Sequence, residues 1–288
     1  MESRTISVLG LRTRVLVERA EAAADPIVLI HGVGGWAENF RAVMAPLAAT
    51  GRSVFAIDLP GFGETERPGR VRYFGPEDAF YPRFVLAAMD ALGVPRAHIV
   101  GNSMGGAIAY MVAVTAPERT GALVLVAAGG LGTEVALFLR VAALPGFGLL
   151  ALLPRSAESS RRVLRTCFYD PARITPELYE EVVRYGDRSF PEFVRAMHQA
   201  LSPRGVRRGV RAAWVGRAAR YAGPVLVVWG REDRVLPLSD AAGLGAIFPR
   251  GQLSVIERCG HMPMAECPEA FLDAVVPFLE RAERAAAA

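Results

Sequence analysis

The most informative segment of the sequence reads HIVGNSMGG and covers residues 98 to 106. Its pattern predicts a buried strand that runs into Gly101 and a helix that begins after Ser103, with a G-x-S-x-G turn between them. Such a turn holds the serine in a strained conformation, and the residues on either side must be small because the strand and the helix pack closely. Gly101 and Gly105 meet this requirement, so Ser103 is a candidate nucleophile. Taken alone, the short motif also fits a serine that merely starts a helix.

Short apolar segments on both sides of this unit predict further buried strands, because each is bounded by Gly or Pro. They read IVLI at 27–30, SVFAI at 53–57, LVLVAA at 123–128 and VLVVW at 225–229. An opening hairpin is predicted from 6–9 and 14–17, around Gly10. Segments with helical periodicity, such as 84–92 and 106–115, lie between the strands. This alternation predicts an α/β fold, with a mostly parallel sheet covered by helices on both faces.

One interval, 130–215, interrupts the alternation. It contains several helical stretches separated by prolines but no convincing strand, so we predict a helical cap inserted into a core made of 1–129 and 216–288. All 33 basic residues of the chain are arginines. Residues 130–222 hold 15 of them against 8 acidic residues, which gives this segment a local charge of +7. An anionic substrate or a membrane surface fits this charge, but scattered surface arginines without a specific role explain it better.

Composition excludes several classes of protein. With 288 residues, 52% of them hydrophobic and 22% charged, the chain is predicted to fold around an ordinary apolar core. Its three cysteines are odd in number and lack metal-ligand spacing, so we expect free thiols in a reducing compartment and no metal. No signal peptide is recognised, and the apolar stretch at 141–153 is too short and broken to span a bilayer, so a cytoplasmic location without membrane insertion is expected. No basic run is interleaved with aromatic residues, so nucleic acid is not an expected partner. No pattern specifies an oligomeric state.

A serine nucleophile needs a base to accept its proton and a carboxylate to orient that base. Of the four histidines, His261 follows the last predicted strand and should lie at the same sheet edge as Ser103, where open sheets place reactive groups. The carboxylate should follow another strand, and Asp233 stands just after VLVVW. The adjacent Glu232 is chemically equivalent and stays an alternative. The other histidines are His31, His98 and His198.

The chain resembles the α/β-hydrolase family over nearly its whole length. The matching segments, in order, are HGVGGW at 31–36, DLPGFG at 58–63, GNSMGG at 101–106, GREDRVLP at 230–237 and CGHMPMAECPE at 259–269. This resemblance implies an eight-stranded sheet, with Ser103 as nucleophile, His261 as general base and acid, and Asp233 as the orienting carboxylate. It also implies an oxyanion hole formed by the backbone amides of Val33 and Met104, and it implies no metal or organic cofactor.

The resemblance leaves three functions open. The first is a carboxylesterase that acts on a small-molecule ester with an apolar acyl group under the cap. The second is a carbon–carbon hydrolase of meta-ring-fission products, a group that usually has tryptophan after the catalytic histidine and a cap arginine. Here Met262 follows His261, and only Arg188 or Arg184 is a candidate arginine, so the ester is ranked first. The third is a non-catalytic ligand-binding protein on the same fold. The candidate substrate contacts are Phe138, Leu139, Arg188 and Met262. Leu149, Leu150 and Phe168 are further candidates for an apolar acyl channel.

Overall fold

A central sheet of eight strands organises the computed structural model, which describes residues 1–21, 24–75, 77–144, 146–147 and 156–287. The strands are β1 (Glu2–Val8), β2 (Leu11–Glu18), β3 (Ile27–Ile30), β4 (Val54–Ile57), β5 (Ala97–Asn102), β6 (Thr120–Val126), the two short strands β7 (Leu201–Ser202) and β8 (Gly205–Val206), β9 (Val225–Gly230) and β10 (Gln252–Ile256). The sheet order is β1-β2-β4-β3-β5-β6-β9-β10, and β7 pairs separately with β8. From β4 to β10 the sheet is parallel, while β2 is antiparallel to both β1 and β4. The predicted fold class and the opening hairpin are confirmed.

Helices cover both faces of the sheet. They are α1 (Arg41–Ala48), α2 (Phe80–Ala91), α3 (Met104–Thr115), α4 (Leu137–Ala142), α5 (Ala157–Cys167), α6 (Pro176–Ala200), α7 (Arg208–Ala218), α8 (Leu244–Ile247), α9 (Pro263–Glu266) and α10 (Pro268–Ala287). Successive residues of a strand point to opposite faces. Val28 and Ile30 of β3 therefore pack in the layer that contains α2 and α3, whereas Ile27 and Leu29 pack in the layer that contains α1 and α10. Burial on both faces explains why these strands read as continuous apolar runs.

The segment between β6 and β9 contains α4, α5, α6, the β7–β8 hairpin and α7. α6 is the longest of these helices, and it begins with the favourable pair of Thr175 as N-cap and Pro176 in the first turn. α7 packs against α3, and its buried Trp214 donates a hydrogen bond to the Phe74 carbonyl at 3.0 Å. The predicted cap boundary at residue 215 thus falls inside a helix that packs on the core.

A buried ionic cluster joins the segment between β6 and β9, which is called the cap below, to the sheet. Arg14 Nε donates to Asp58 Oδ2 at 2.6 Å, and Arg14 Nη2 donates to Glu38 Oε2 at 2.6 Å. Its Nη1 also donates to the hydroxyl of Tyr185 on α6, at 3.3 Å. Burial opposes the charge of Arg14, but the hydrogen bonds to Glu38 and Asp58 outweigh this effect and raise its pKa. The arginine therefore stays charged and holds the middle of α6 against β2.

Within the described residues, no helix is both long enough and apolar enough to cross a membrane.

Candidate active site

The turn between β5 and α3 places Ser103 in a conformation that non-glycine residues rarely adopt, with φ 56° and ψ −119°. Such a conformation costs about 1–3 kcal/mol, so the surrounding structure must hold it in place. The Ser103 amide donates to the Val126 carbonyl at 2.9 Å, and the Ser103 carbonyl accepts from the Gly129 amide at 2.9 Å. Two bonds to the end of β6 and the segment after it therefore fix the strained residue at the carboxyl edge of the sheet.

The two glycines of the motif are required by close packing, as the sequence predicts. A Cβ atom at Gly101 would lie 2.1 Å from the Gly105 carbonyl oxygen, and one at Gly105 would lie 2.1 Å from the Ile30 carbonyl oxygen. Both distances are far below contact distance. The strand, the helix and β3 thus meet at a point where no side chain fits.

His261 and Asp233 form a buried pair. His261 Nδ1 lies 2.7 Å from Asp233 Oδ2, and Asp233 Oδ1 accepts from the amides of Val235 at 2.7 Å and Leu236 at 2.9 Å. An ionised carboxylate can only accept hydrogen bonds, so Nδ1 bears the hydrogen and Nε2 is left with a free lone pair. A ring in this state can accept a proton at Nε2.

Glu232, the alternative carboxylate, does not contact His261 but binds the loop after β10. Its Oε2 accepts from the backbone amide of Cys259 at 3.0 Å, where it braces the loop after β10. The structure therefore places Asp233, and not Glu232, on the imidazole.

Ser103 and His261 line one cavity of about 270 Å³ between the sheet edge and the cap. Asn102 fastens the two loops together, because its Nδ2 donates to the carbonyls of His261 at 3.0 Å and Val126 at 3.2 Å. Asn102 lies inside the GNSMGG segment, but no sequence pattern indicates that its side chain links these two loops. The cap also contacts this loop, since the His261 amide donates to the Cys167 carbonyl at the end of α5, at 2.7 Å.

Phe138, Leu139 and Met262 line this large cavity, as the sequence predicts for substrate contacts. Phe168 is instead buried in the core layer of α1 and α10, and Leu149 and Leu150 lie outside the described residues.

Arg188 and Arg184, the candidate arginines for substrate binding, do not line the cavity. Both side chains are exposed on α6. The α6 residues that line the cavity are Val182, Gly186, Ser189, Phe190 and Phe193. Their spacing of three to four places defines one helix face, and both arginines lie off it.

The backbone amides of Val33 and Met104 are the predicted oxyanion donors. Among the described residues, neither amide donates to a protein acceptor. Met104 is the first residue of α3, where the helix dipole favours negative charge. The loop that contains Val33 packs directly on the serine, because a Cβ atom at Gly32 would lie 3.0 Å from Ser103 Cβ.

His31 positions the loop that contains Val33. Its Nδ1 donates to the Gly32 carbonyl at 2.7 Å, and its Nε2 accepts from the Leu59 amide at 2.9 Å. Burial lowers the pKa of His31, so the ring stays neutral and keeps this pair of bonds. His31 therefore has a structural role.

A second, smaller cavity of about 70 Å³ also reaches Ser103. Met104, Tyr110 and Arg211 line it, while Ser103, Val33 and Leu139 line both cavities. Nothing in the sequence pattern indicated this chamber, because its walls come from parts of the chain that are far apart, among them α3, α6, α7 and the loop after β6.

Among the described residues, no cluster of three or more His, Cys, Asp or Glu side chains is arranged to hold a metal ion.

Comparison with known proteins identifies the family. The profile described as alpha/beta hydrolase fold matches residues 25–268. The chain belongs to this family. Its α/β-hydrolase fold extends to solved structures: a meta-cleavage product hydrolase from Pseudomonas fluorescens, complexed with acetates, has a TM-score of 0.77 and 31% identity, covering 97% of this chain and 98% of that one.

Two relatives of this α/β hydrolase match over nearly their full length. The 2-hydroxy-6-oxo-6-phenylhexa-2,4-dienoate hydrolase of Burkholderia cepacia is 34% identical over 283 residues, covering 96% of this chain and 94% of the relative. The 2-hydroxymuconate semialdehyde hydrolase of Pseudomonas sp. strain CF600 is 35% identical over 289 residues, covering 98% of this chain and 95% of the relative. The chain is therefore a hydrolase.

Proposed function

We propose that this hydrolase cleaves the carbon–carbon bond beside the ketone of a meta-ring-fission product, with Ser103 as the nucleophile. The full-length similarity to hydrolases named for such compounds is the observation on which the proposal rests. The names of these relatives favour this function over the ester hydrolysis that the sequence ranked first. The pairing of His261 with Asp233, beside a serine on a strained turn, supplies the chemistry that either reaction needs.

In the first step Ser103 Oγ attacks the ketone carbon while His261 Nε2 accepts the hydroxyl proton. Asp233 keeps the hydrogen on Nδ1 and stabilises the imidazolium. The ketone oxygen becomes an oxyanion, which the amides of Val33 and Met104 bind. Donors of this kind act on charge that exists only in the transition state, and each typically contributes about 10²–10³ in rate.

In the second step the tetrahedral intermediate collapses and the carbon–carbon bond breaks. The electron pair goes to the carbon of the dienoate half, which takes the proton from His261. Before this bond breaks, the substrate must tautomerise, and the proton of its 2-hydroxyl moves to the carbon beside the ketone. That carbon is then saturated, so the charge that develops on it is delocalised through the remaining double bond onto the 2-keto oxygen. Water then attacks the acyl-enzyme, with His261 as the base, and releases a carboxylic acid while Ser103 regains its proton.

The leaving half occupies the large cavity in this scheme, because His261 lines that cavity and must hand a proton to it. Ser189 offers a polar contact there. Its side chain is buried, and among the described residues its Oγ has no hydrogen-bond partner. Rotation of this side chain toward the cavity would let the hydroxyl donate to a ligand oxygen. We assign Ser189 to the carboxylate end of the dienoate half.

Ester hydrolysis is the second candidate, and the wall of the large cavity favours it. No arginine is among the described residues that line this cavity, and Met262 follows His261. A neutral alcohol half fits such a wall without a cation, whereas a carboxylate depends there on uncharged donors alone.

The experiment compares two substrates with the purified protein. Cleavage of 2-hydroxy-6-oxo-6-phenylhexa-2,4-dienoate is followed by loss of its visible absorbance, and hydrolysis of p-nitrophenyl butyrate by release of nitrophenolate. We expect kcat/KM for the ring-fission product to exceed that for the ester by at least 100-fold. A ratio below one assigns the chain to the esterases.

The non-catalytic alternative has its own test. A fluorophosphonate probe labels a serine that is activated by histidine, and we expect it to label the native protein but not the Ser103→Ala variant. A folded protein that the probe does not label would support the ligand-binding hypothesis instead.

A further inference from the structure

Glu266 is a buried carboxylate that binds the loop of His261 and the cap at the same time. It is the last residue of α9, and it is only 3% exposed. Its Oε2 accepts from the Gly260 amide at 2.7 Å, directly before the histidine. Its Oε1 accepts from the Asp170 amide at 2.7 Å, in the cap segment that follows α5. One side chain thus bridges the loop that holds the proton acceptor and the segment that ends a cap helix.

The two bridged segments also touch each other directly. A Cβ atom at Gly260 would lie 2.6 Å from the Cys167 carbonyl oxygen and 2.7 Å from the Tyr169 amide nitrogen. The same Cys167 carbonyl accepts from the His261 amide at 2.7 Å. No side chain fits between these two backbones, so their relative position is set by the hydrogen bonds that join them.

Only a carboxylate can make both bonds of Glu266. Two backbone N–H groups approach its two oxygens, and each oxygen accepts one of them. A glutamine of the same shape has one acceptor oxygen and one NH2 group, so its NH2 group would face a second donor. Arg173, whose Nη1 donates to the backbone carbonyl of Glu266 at 3.2 Å, forms its ion pair with Asp170. A buried charge is costly unless hydrogen bonds satisfy it, so the two amide bonds keep this carboxylate in place.

We propose that Glu266 is a positioning residue for the reaction, which sets the place of His261 relative to Ser103 and ties that place to the position of the cap. Glu266 lines neither of the two cavities that reach the serine. It acts through the Gly260 peptide, one residue before the imidazole that accepts the proton of Ser103. A displacement of about 1 Å in a reacting group costs about 100-fold in rate. This inference rests on the proposed role of His261 in proton transfer, but not on which bond is cleaved.

The test is Glu266→Gln, with kcat and KM measured separately on whichever of 2-hydroxy-6-oxo-6-phenylhexa-2,4-dienoate and p-nitrophenyl butyrate the native enzyme turns over. We expect kcat to fall about 100-fold while KM stays within threefold, because the cavity walls are unchanged. The rate of labelling by a fluorophosphonate probe should fall at least tenfold, since labelling also requires His261 to activate Ser103. A purely structural role would lower the melting temperature without changing kcat of the folded enzyme.

Glu283→Gln is the matched control. Glu283 lies on α10, and its carboxylate also bridges two segments, since it binds Arg52 and His98. His98 lies near the start of β5, at the sheet edge opposite to Ser103. We expect this variant to lose stability but to keep kcat within threefold of the native value.

A second variant keeps the outcome decisive. Glu266→Asp retains the charge and both oxygens on a side chain that is one CH2 group shorter, so it cannot reach both amides. It replaces the glutamine variant if circular dichroism shows that the latter is unfolded, and its kcat should fall at least tenfold. A folded Glu266 variant with kcat within threefold of native, a loss carried mainly by KM, or an equal loss of kcat in Glu283→Gln would overturn the inference. Absence of both turnover and labelling in the native protein would instead overturn the proposed function, and this inference with it.

Discussion

The bond between Asp233 and His261 fixes which imidazole nitrogen bears the hydrogen, and Asp233→Asn tests this function. In the variant the amide oxygen can take the place of Oδ1 and keep the bonds from Val235 and Leu236. The NH2 group then replaces Oδ2, 2.7 Å from His261 Nδ1. An NH2 group donates, so Nδ1 must accept and the hydrogen moves to Nε2. That nitrogen can no longer take the proton of Ser103.

The expected loss is large for activity and small for stability. The same exchange in a serine protease triad lowers kcat about 10⁴-fold, and a factor of 10⁴ corresponds to about 5 kcal/mol in the activation free energy. The melting temperature should change little, because the two loop bonds remain. Asp233→Ala should add a loss of stability, since the amides of Val235 and Leu236 then lack an acceptor at a cost of about 1–3 kcal/mol each.

The assay measures kcat/KM on p-nitrophenyl butyrate at pH 8, together with thermal unfolding followed by circular dichroism. Glu232→Gln is the matched control, because its amide oxygen can still accept from the Cys259 amide, and we expect activity within threefold of the native value. Activity of Asp233→Asn within tenfold of the native enzyme would refute the assigned role of the carboxylate.

Three further outcomes are expected. Ser103→Ala should abolish turnover with an almost unchanged melting temperature, whereas His198→Ala should retain the native rate; residual turnover of the serine variant would point to another nucleophile. Gly105→Ala should unfold the protein or destabilise it by more than about 4 kcal/mol, because its Cβ would lie 2.1 Å from a β3 carbonyl oxygen. Gly216 on α7 faces open space, so Gly216→Ala should instead stabilise the protein by about 0.5–1 kcal/mol. Urea titrations measure both changes. Burial raises the pKa of Asp240 to about 6, so its carboxylate favours the unfolded state increasingly as the pH rises from about 4 to 6; Asp240→Asn should therefore gain stability relative to the native protein across that interval, and a constant difference would contradict this.

The reactive edge of the sheet could be predicted from sequence because its features are local. Ser103 lies in a motif whose two glycines are required by the close packing of the strand and the helix. His261 follows a strand that must end at the same edge of the sheet as the serine. The choice between Asp233 and Glu232 required the structure. The two adjacent residues have chemically similar carboxylates. Only the path of the loop after β9 decides which of them reaches His261.

The side chains that face the cavities could not be predicted from sequence, because the packing of distant segments decides them. α6 has one face toward the cavity and another toward solvent, so its pattern could not show that Arg188 lies off the cavity face. Arg211, which lines the small cavity, could not be singled out from sequence because it is one of 15 arginines between residues 130 and 222.

The hydrogen bond from the His261 amide to Cys167 has a consequence for the working cycle of the enzyme. Because α5 belongs to the cap, any outward swing of that helix removes a support from the residue that shuttles the proton. The orientation of the loop that contains His261 therefore depends on the position of α5.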